Sequence, residues 1–246
     1  MKRFLSRLLH AFFPSHCIYC GELTAPDMHC CDDCRGKLVA ADENGTVYAV
    51  SRVRNAKALI AVYRYDKLSR KAVFDLKFHD QRGTAAPIAR EMADKVNRCY
   101  LEQSVLPKHA LDIVLPVPMH PKAIRKRGYN QSALLAKRIA KQLDIPYSDR
   151  ILCKVRHTKK QHTVSLWERE TNLENAFVVK DAAAVRDKWI LLVDDVCTSG
   201  NTFAHCTKTL KDAGAKEIVC ASFLLRKGRW RGYCYPKDHF PKRYRF

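Results

Sequence analysis

The chain has 246 residues and 47% apolar side chains, which supports a real core and excludes a disordered or fibrous protein. Lys and Arg number 45 against 25 Asp and Glu, a net charge of +20. That excess calls for an anionic partner: nucleic acid first, then phosphorylated small molecules or an acidic membrane surface. The 11 cysteines are odd in number and uneven in spacing, which excludes a secreted disulfide framework and predicts a reduced, cytoplasmic protein.

Residues 2–13 can form a short helix with Phe4, Leu5, Leu8, Leu9 and Phe12 on one face. Arg7 and His10 break its apolar run and no small-residue cleavage site follows, so it does not read as a secretion signal. It reads as a surface helix packed on its own protein, or as a peripheral contact with the inner face of a membrane. No apolar run approaches the ~20 residues of a transmembrane segment. Next come Cys17-x2-Cys20-Gly21 and Cys31-x2-Cys34, two knuckles that can set four thiolates around a structural zinc. Cys30 competes with Cys31 for one ligand position, and the two-residue spacing favours Cys31. So short a unit needs such a staple because it cannot build its own core.

Ala58–Tyr65 reads as a strand and Lys67–Phe74 as a short helix. Leu76-Lys77-Phe78-His79 leads to a helix from about Thr84 to Leu101, with Pro87 tolerated in its first turn. Leu111–Pro118 is a strand meeting a proline-rich break. Lys122, Arg125, Lys126 and Arg127 follow, before a helix that starts near Asn130 and runs through Leu134, Leu135, Ile139 and Leu143. A basic cluster between a strand end and a helix start suits a pyrophosphate or a nucleic-acid backbone, although such a run is also what a solvated face looks like. Ile151–Val155 and Ala176–Val179 are short strands. The polar, basic stretch between them, from Arg156 to Asn172, reads as a mobile cover over an active site or as a plain surface loop.

The chain is organised around Trp189-Ile-Leu-Leu-Val-Asp194-Asp195-Val-Cys-Thr198-Ser199-Gly200-Asn201-Thr202. Ile190–Val193 is a strand buried on both faces. Two acids follow where it should leave the sheet, and then a loop of small hydroxyl residues. Thr202 is expected to cap a helix ending near Gly214. The open first turn of a helix, a glycine that admits close approach and three hydroxyls form a phosphate site. Asp194 and Asp195 cannot serve a phosphate; they suit a group that donates hydroxyls, or a divalent cation. A sugar phosphate satisfies both halves. The dinucleotide and P-loop glycine patterns are absent. Glu217–Leu225 is a last strand. The tail beyond it mixes Lys and Arg with Trp230, Tyr233, Tyr235, Phe240, Tyr244 and Phe246, the composition that tracks single-stranded nucleic acid, or of a solubilising tail.

The central stretch resembles the phosphoribosyl-pyrophosphate (PRPP) motif of type I phosphoribosyltransferases, with Ser199 where Thr is usual and Asn201 where a smaller residue is commoner. The order of landmarks resembles the ComF family over about residues 10–226. Those landmarks are the double Cys-x2-Cys; Tyr65 with Leu76-Lys77-Phe78; Pro116-Val-Pro-Met-His120 with Arg127-Gly-Tyr-Asn-Gln131; Arg156-x-Thr158 with Gln161, Glu168-Arg169 and Asn172-x3-Ala176-Phe177; and the central motif. Cys30 and the tail depart from the pattern. The resemblance implies an α/β fold, a type I phosphoribosyltransferase-like parallel sheet flanked by helices, over residues 41–226. It also implies a small four-cysteine zinc module within residues 1–40, and leaves residues 227–246 as a basic aromatic tail. It further implies a role in natural competence, handling incoming single-stranded DNA on the cytoplasmic side of the membrane beside the DNA-uptake translocase machinery. PRPP would then be held with Mg²⁺, its ribose hydroxyls on Asp194 and Asp195 and its 5-phosphate on Thr198, Ser199, Gly200, Asn201 and Thr202. Lys77, Arg125, Arg127 or Arg156 would neutralise the pyrophosphate. Catalysis is left open, with an ordinary salvage transferase and a non-catalytic nucleic-acid module as the alternatives.

Overall fold

The structure is a computed structural model that describes residues 15–26, 28–41, 53, 55–78, 82–101, 110–156 and 175–226. The expected helix at 2–13, the insertion from residue 157 to Asn172 and the tail 227–246 lie outside them. The elements are α1 (Asp32–Lys37), β1 (Ala58–Arg64), α2 (Arg70–Phe78), a 3₁₀ turn (Arg82–Thr84), α3 (Ala85–Leu101), β2 (Ile113–Pro116), α4 (Pro121–Arg127) and α5 (Gln131–Leu143). They continue with β3 (Leu152–Lys154), β4 (Phe177–Val179), β5 (Trp189–Cys197), α6 (Asn201–Asp212) and β6 (Glu217–Leu225). Among the described residues no helix is long and apolar enough to cross a membrane.

Four strands form one parallel sheet in the order β1-β6-β5-β2, and β3 pairs antiparallel with β4 in a separate ribbon. The apolar run of β5 feeds two cores. Leu191 and Val193 face α3 and α5, packing with Met92, Val96, Leu135 and Ile139. Ile190 and Leu192 face α6 and the ribbon, packing with Phe203, Leu210, Leu152 and Phe177. A parallel sheet covered on both faces requires such uninterrupted apolar strands.

The register leaves a gap at one end of the sheet. β2 stops at Pro116, opposite Val193, and the last bond to it runs from Val117 N to Val193 O at 2.8 Å. β5 continues to Cys197 beside β6. Asp194 and Asp195 therefore lie within β5, not after it as expected, on the stretch that has outrun β2. This is the carboxyl end of the strands, where open parallel sheets bind ligands.

Two further boundaries differ from the sequence reading. The helix expected at Lys67 begins at Arg70 because Asp66 and Ser69 build a turn ahead of it. Asp66 Oδ1 accepts from Leu68 N and Ser69 N at 2.8 and 2.7 Å, and Ser69 Oγ donates to Arg64 O at 2.7 Å. The basic run before Asn130 is itself a helix, α4. Pro121 opens it, His120 Nδ1 accepts from Lys122 N at 3.1 Å, and Gly128 closes it with φ 87°.

The cysteine knuckle packs into the first core. Cys17, Tyr19, Cys30 and Cys34 belong to the same cluster as Leu191. Tyr19, 1% exposed, meets Tyr63 edge-on at 6.4 Å, and Tyr63 meets Phe223 in the same way at 5.6 Å. His29 Nε2 lies 3.0 Å from Glu91 Oε1 on α3. Tyr19→Ala should therefore lower the stability of the whole fold by about 3–5 kcal/mol, seen in urea unfolding as one earlier transition. An unchanged main transition would show that the knuckle unfolds on its own.

Candidate functional site

The four knuckle thiols converge: the Sγ atoms of Cys17, Cys20, Cys31 and Cys34 all lie within 4.8 Å of one another. Tetrahedral zinc with sulfur at about 2.3 Å needs sulfurs about 3.8 Å apart, and Cys20 and Cys31 are 3.7 Å apart. The cluster can hold a metal ion. Gly21, at φ 88°, makes the turn after the first pair. Glu22 N donates to Cys20 Sγ and Cys34 N to Cys31 Sγ, each at 3.4 Å. Burial pushes the Cys17 thiol up, but backbone N–H donors from Cys31, Cys20 and Tyr19 outweigh it and bring it down to about 6. Cys30 turns into the core, 4% exposed, with its Sγ donating to Cys31 O at 3.4 Å. The ligand position in question thus belongs to Cys31.

At the carboxyl end of the sheet lies a cleft of about 420 Å³. Asp194, Asp195 and Thr198 line it from β5 and the loop, Lys77 from α2, and Asn130 and Ser132 from the start of α5. Asp195 is 3% exposed, and its Oδ2 pairs with Lys77 Nζ at 2.6 Å. Asp194 Oδ1 accepts from Ser132 Oγ at 2.6 Å and from Asp195 N at 2.9 Å. Asn130 places Ser132 by capping α5, its side-chain oxygen accepting from Ser132 N at 3.1 Å. Its amide nitrogen donates to Val117 O at 3.0 Å, which ties the helix to the end of β2.

Burial pushes the Asp194 carboxyl up, the charge of Asp195 pushes it further, and Ser132 and Lys77 pull it back to about 7. Lys154 of β3 also lines the cleft, and burial pushes its ammonium down. The loop after β5 enters α6 through Gly200, the N-cap, at φ 79° with no side-chain cap bond. Thr202, expected as the cap, instead sits inside the first turn, because Gly200 takes the left-handed conformation that admits the chain two residues earlier. Gly200 itself offers no side chain to the first N–H groups of α6, and Asn201 N donates a long bond to Ser199 Oγ at 3.5 Å.

The cleft brings together Asp194, Asp195, Thr198 and Lys77 of the sequence-read residues. Ser199, Gly200, Asn201 and Thr202 follow at the start of α6. Arg125 is exposed on α4, Arg127 donates to Gln131 Oε1 at 2.8 Å, and Arg156 is exposed after β3; none of the three lines the cleft. Ser132, Lys154, Tyr65 and Arg226 line it without having been read from the sequence. Of these, Tyr65 is one of the family landmarks and Ser132 stands two residues after a capping Asn; Lys154 and Arg226 carried no signal.

The phosphoribosyl transferase domain model matches residues 130–240, a stretch that holds Asn130, Ser132, Lys154, both acids and the loop. Competence protein F of Haemophilus influenzae is 38% identical over 110 residues, 44% of this chain and 47% of that protein, so the match spans about half the relative's length. The DNA utilization protein YhgH of Salmonella typhi is 31% identical over 161 residues, 65% of this chain and 68% of its own. The chain belongs to the ComF family. A purine phosphoribosyltransferase from Pyrococcus horikoshii overlaps 63% of this chain and 89% of its own at 19% identity, with a TM-score of 0.33, too loose for residue-level comparison. This ComF-family chain has a phosphoribosyltransferase-type fold, a parallel sheet flanked by helices, with its four-cysteine cluster docked on one face.

Two outcomes follow from this geometry. Cys31→Ser should abolish stoichiometric metal in the purified protein, whereas Cys30→Ser should retain it, as elemental analysis can read. The Asp194 carboxyl ordinarily titrates near ~3.9, so its raised folded value contributes stability that is complete below about pH 4 and is lost as pH rises through about 7. Ser132→Ala removes a donor that favours the ionised form. It should shift that loss upward by about one pH unit, measured from urea midpoints across the range.

Proposed function

We propose that this protein binds PRPP in the cleft and acts in natural competence, handling incoming single-stranded DNA in the cytoplasm. The carrying observation is one juxtaposition at the carboxyl end of the sheet: two adjacent acids on β5, then a loop that enters α6 without a side-chain cap. Ribose hydroxyls would donate to Asp194 and Asp195. The 5-phosphate would take the N–H groups at the start of α6 with the hydroxyls of Thr198, Ser199 and Thr202. Mg²⁺, carried in with PRPP, would offset the charge of the pyrophosphate. Lys77, Lys154 and Arg226 supply the positive charge already in the cleft.

The same reading gives zinc to the four cysteines, in a structural role. Four thiolates at this spacing suit zinc, and the knuckle's packing into the core makes metal binding part of folding. The DNA half of the proposal rests on the charge of +20, on the basic and aromatic tail, and on relatives named for competence and DNA utilization. The same reading places the protein beside the DNA-uptake machinery.

The test is calorimetric titration of the zinc-loaded protein with PRPP and Mg²⁺, beside Asp194→Ala/Asp195→Ala. Removing a buried and a half-buried acceptor of ligand hydroxyls should weaken binding by about 100-fold or more. Binding by neither protein would refute the PRPP reading. Single-strand DNA affinity should fall steeply with salt in both proteins, since phosphate contacts release counterions.

A further inference from the structure

Two neighbouring carboxyls in a buried setting cannot both ionise cheaply, because each charge disfavours the other. In this cleft their partners differ in kind. Asp195 faces a full counter-charge, the Lys77 ammonium at 2.6 Å. Asp194 Oδ1 receives neutral donors, Ser132 Oγ and Asp195 N. Around it also stand Lys154 of β3, His120 ahead of α4, Arg226 after β6, and the thiols of Cys206 on α6, Cys220 on β6 and Cys197 further along β5. Burial raises all three thiols, so none brings a negative charge near neutrality.

Lys77 is placed from behind. It stands in the last turn of α2, and the carbonyl of the preceding residue, Leu76, accepts the hydroxyl of Tyr129. Tyr129 is 8% exposed and lies in the turn between α4 and α5. The same turn carries Asn130, which bonds Val117 O, and leads to Ser132, which bonds Asp194. One short stretch thus holds the Lys77 end of α2 against Asp195 and the start of α5 against Asp194.

We propose that Lys77 and Tyr129 are positioning residues that divide the acid pair: Asp195 is held as the fixed carboxylate, and Asp194 is left as the carboxyl that gains and loses the proton. The use of this division rests on the phosphoribosyl reading above, since it gives a ligand's adjacent hydroxyls one constant acceptor and one proton-exchanging partner. The division itself belongs to the ligand-free cleft, so it can be tested without PRPP.

The experiment is NMR titration of the full-length, metal-loaded protein with ¹³C-labelled aspartate carboxyls, from about pH 5 to about pH 9, around the neutral range of interest. Asp194→Asn and Asp195→Asn assign the two resonances. In the wild type only the Asp194 resonance should move, while that of Asp195 stays at its ionised position. In Lys77→Met both should move, because the proton is then shared. Lys77→Arg should restore the wild-type pattern. Tyr129→Phe keeps the ring and loses the hydroxyl, and should give partial movement of the Asp195 resonance. Lys77→Met with Asp194 alone titrating overturns the proposal. So does Tyr129→Phe that lowers stability and leaves both resonances unchanged. Should Lys77→Met fail to fold, the Lys77→Arg and Tyr129→Phe arms decide. Calorimetry that finds no PRPP binding would sink the functional reading and leave this result standing.

Discussion

The constraint on which the site depends is a carboxylate almost wholly removed from water. Asp195 is 3% exposed at the end of the central strand, and an unpaired ion there would carry a penalty of several kcal/mol. Lys77 offsets it at 2.6 Å. Reaching that distance fixes where α2 must end, and the Tyr129 hydroxyl on the Leu76 carbonyl secures that end from the far side. Asp194 then has to accept neutral donors, which is why Ser132 sits at the first turn of α5 and why Asn130 caps that turn. Three elements are thus aligned on one pair of acids.

The sheet can sustain such an arrangement because everything beneath it is rigid. β5 is covered on both faces, by α3 and α5 on one side and by α6 with the small ribbon on the other. Its polar residues can emerge only where β2 has stopped, and this confines the cleft to one place. The cysteine knuckle adds to the same rigidity from a distance. Tyr19, Tyr63 and Phe223 form an edge-on series from the four-cysteine loop to β6, so the ordering of the knuckle and the packing of the sheet are coupled.

Local patterns carried much of this. The run Ile190–Val193 announced a doubly buried strand, the acid pair stands at the cleft, and β6 begins and ends at Glu217 and Leu225 as read. Misreadings arose where a local hydrogen bond competed with periodicity. Asp66 and Ser69 took up the residues expected to start α2. Gly200 displaced Thr202 as the N-cap. His120 and Gly128 turned a basic run into a capped helix of its own.

Contiguous residues set which chemistry is available: four thiols at knuckle spacing, two adjacent acids and a glycine loop, all of them features that burial and turn formation encode within a few positions. Who partners whom is settled by the folded arrangement alone. Ser132 reaches Asp194 from 62 positions away, and Lys77 meets Asp195 from a different element. Cys30 and Cys31 are adjacent in the chain, yet one turns into the core and the other toward the thiols of Cys17, Cys20 and Cys34. Such pairings follow from how helices settle on a sheet, and a one-dimensional pattern holds no record of it because packing is set by elements that are distant in sequence.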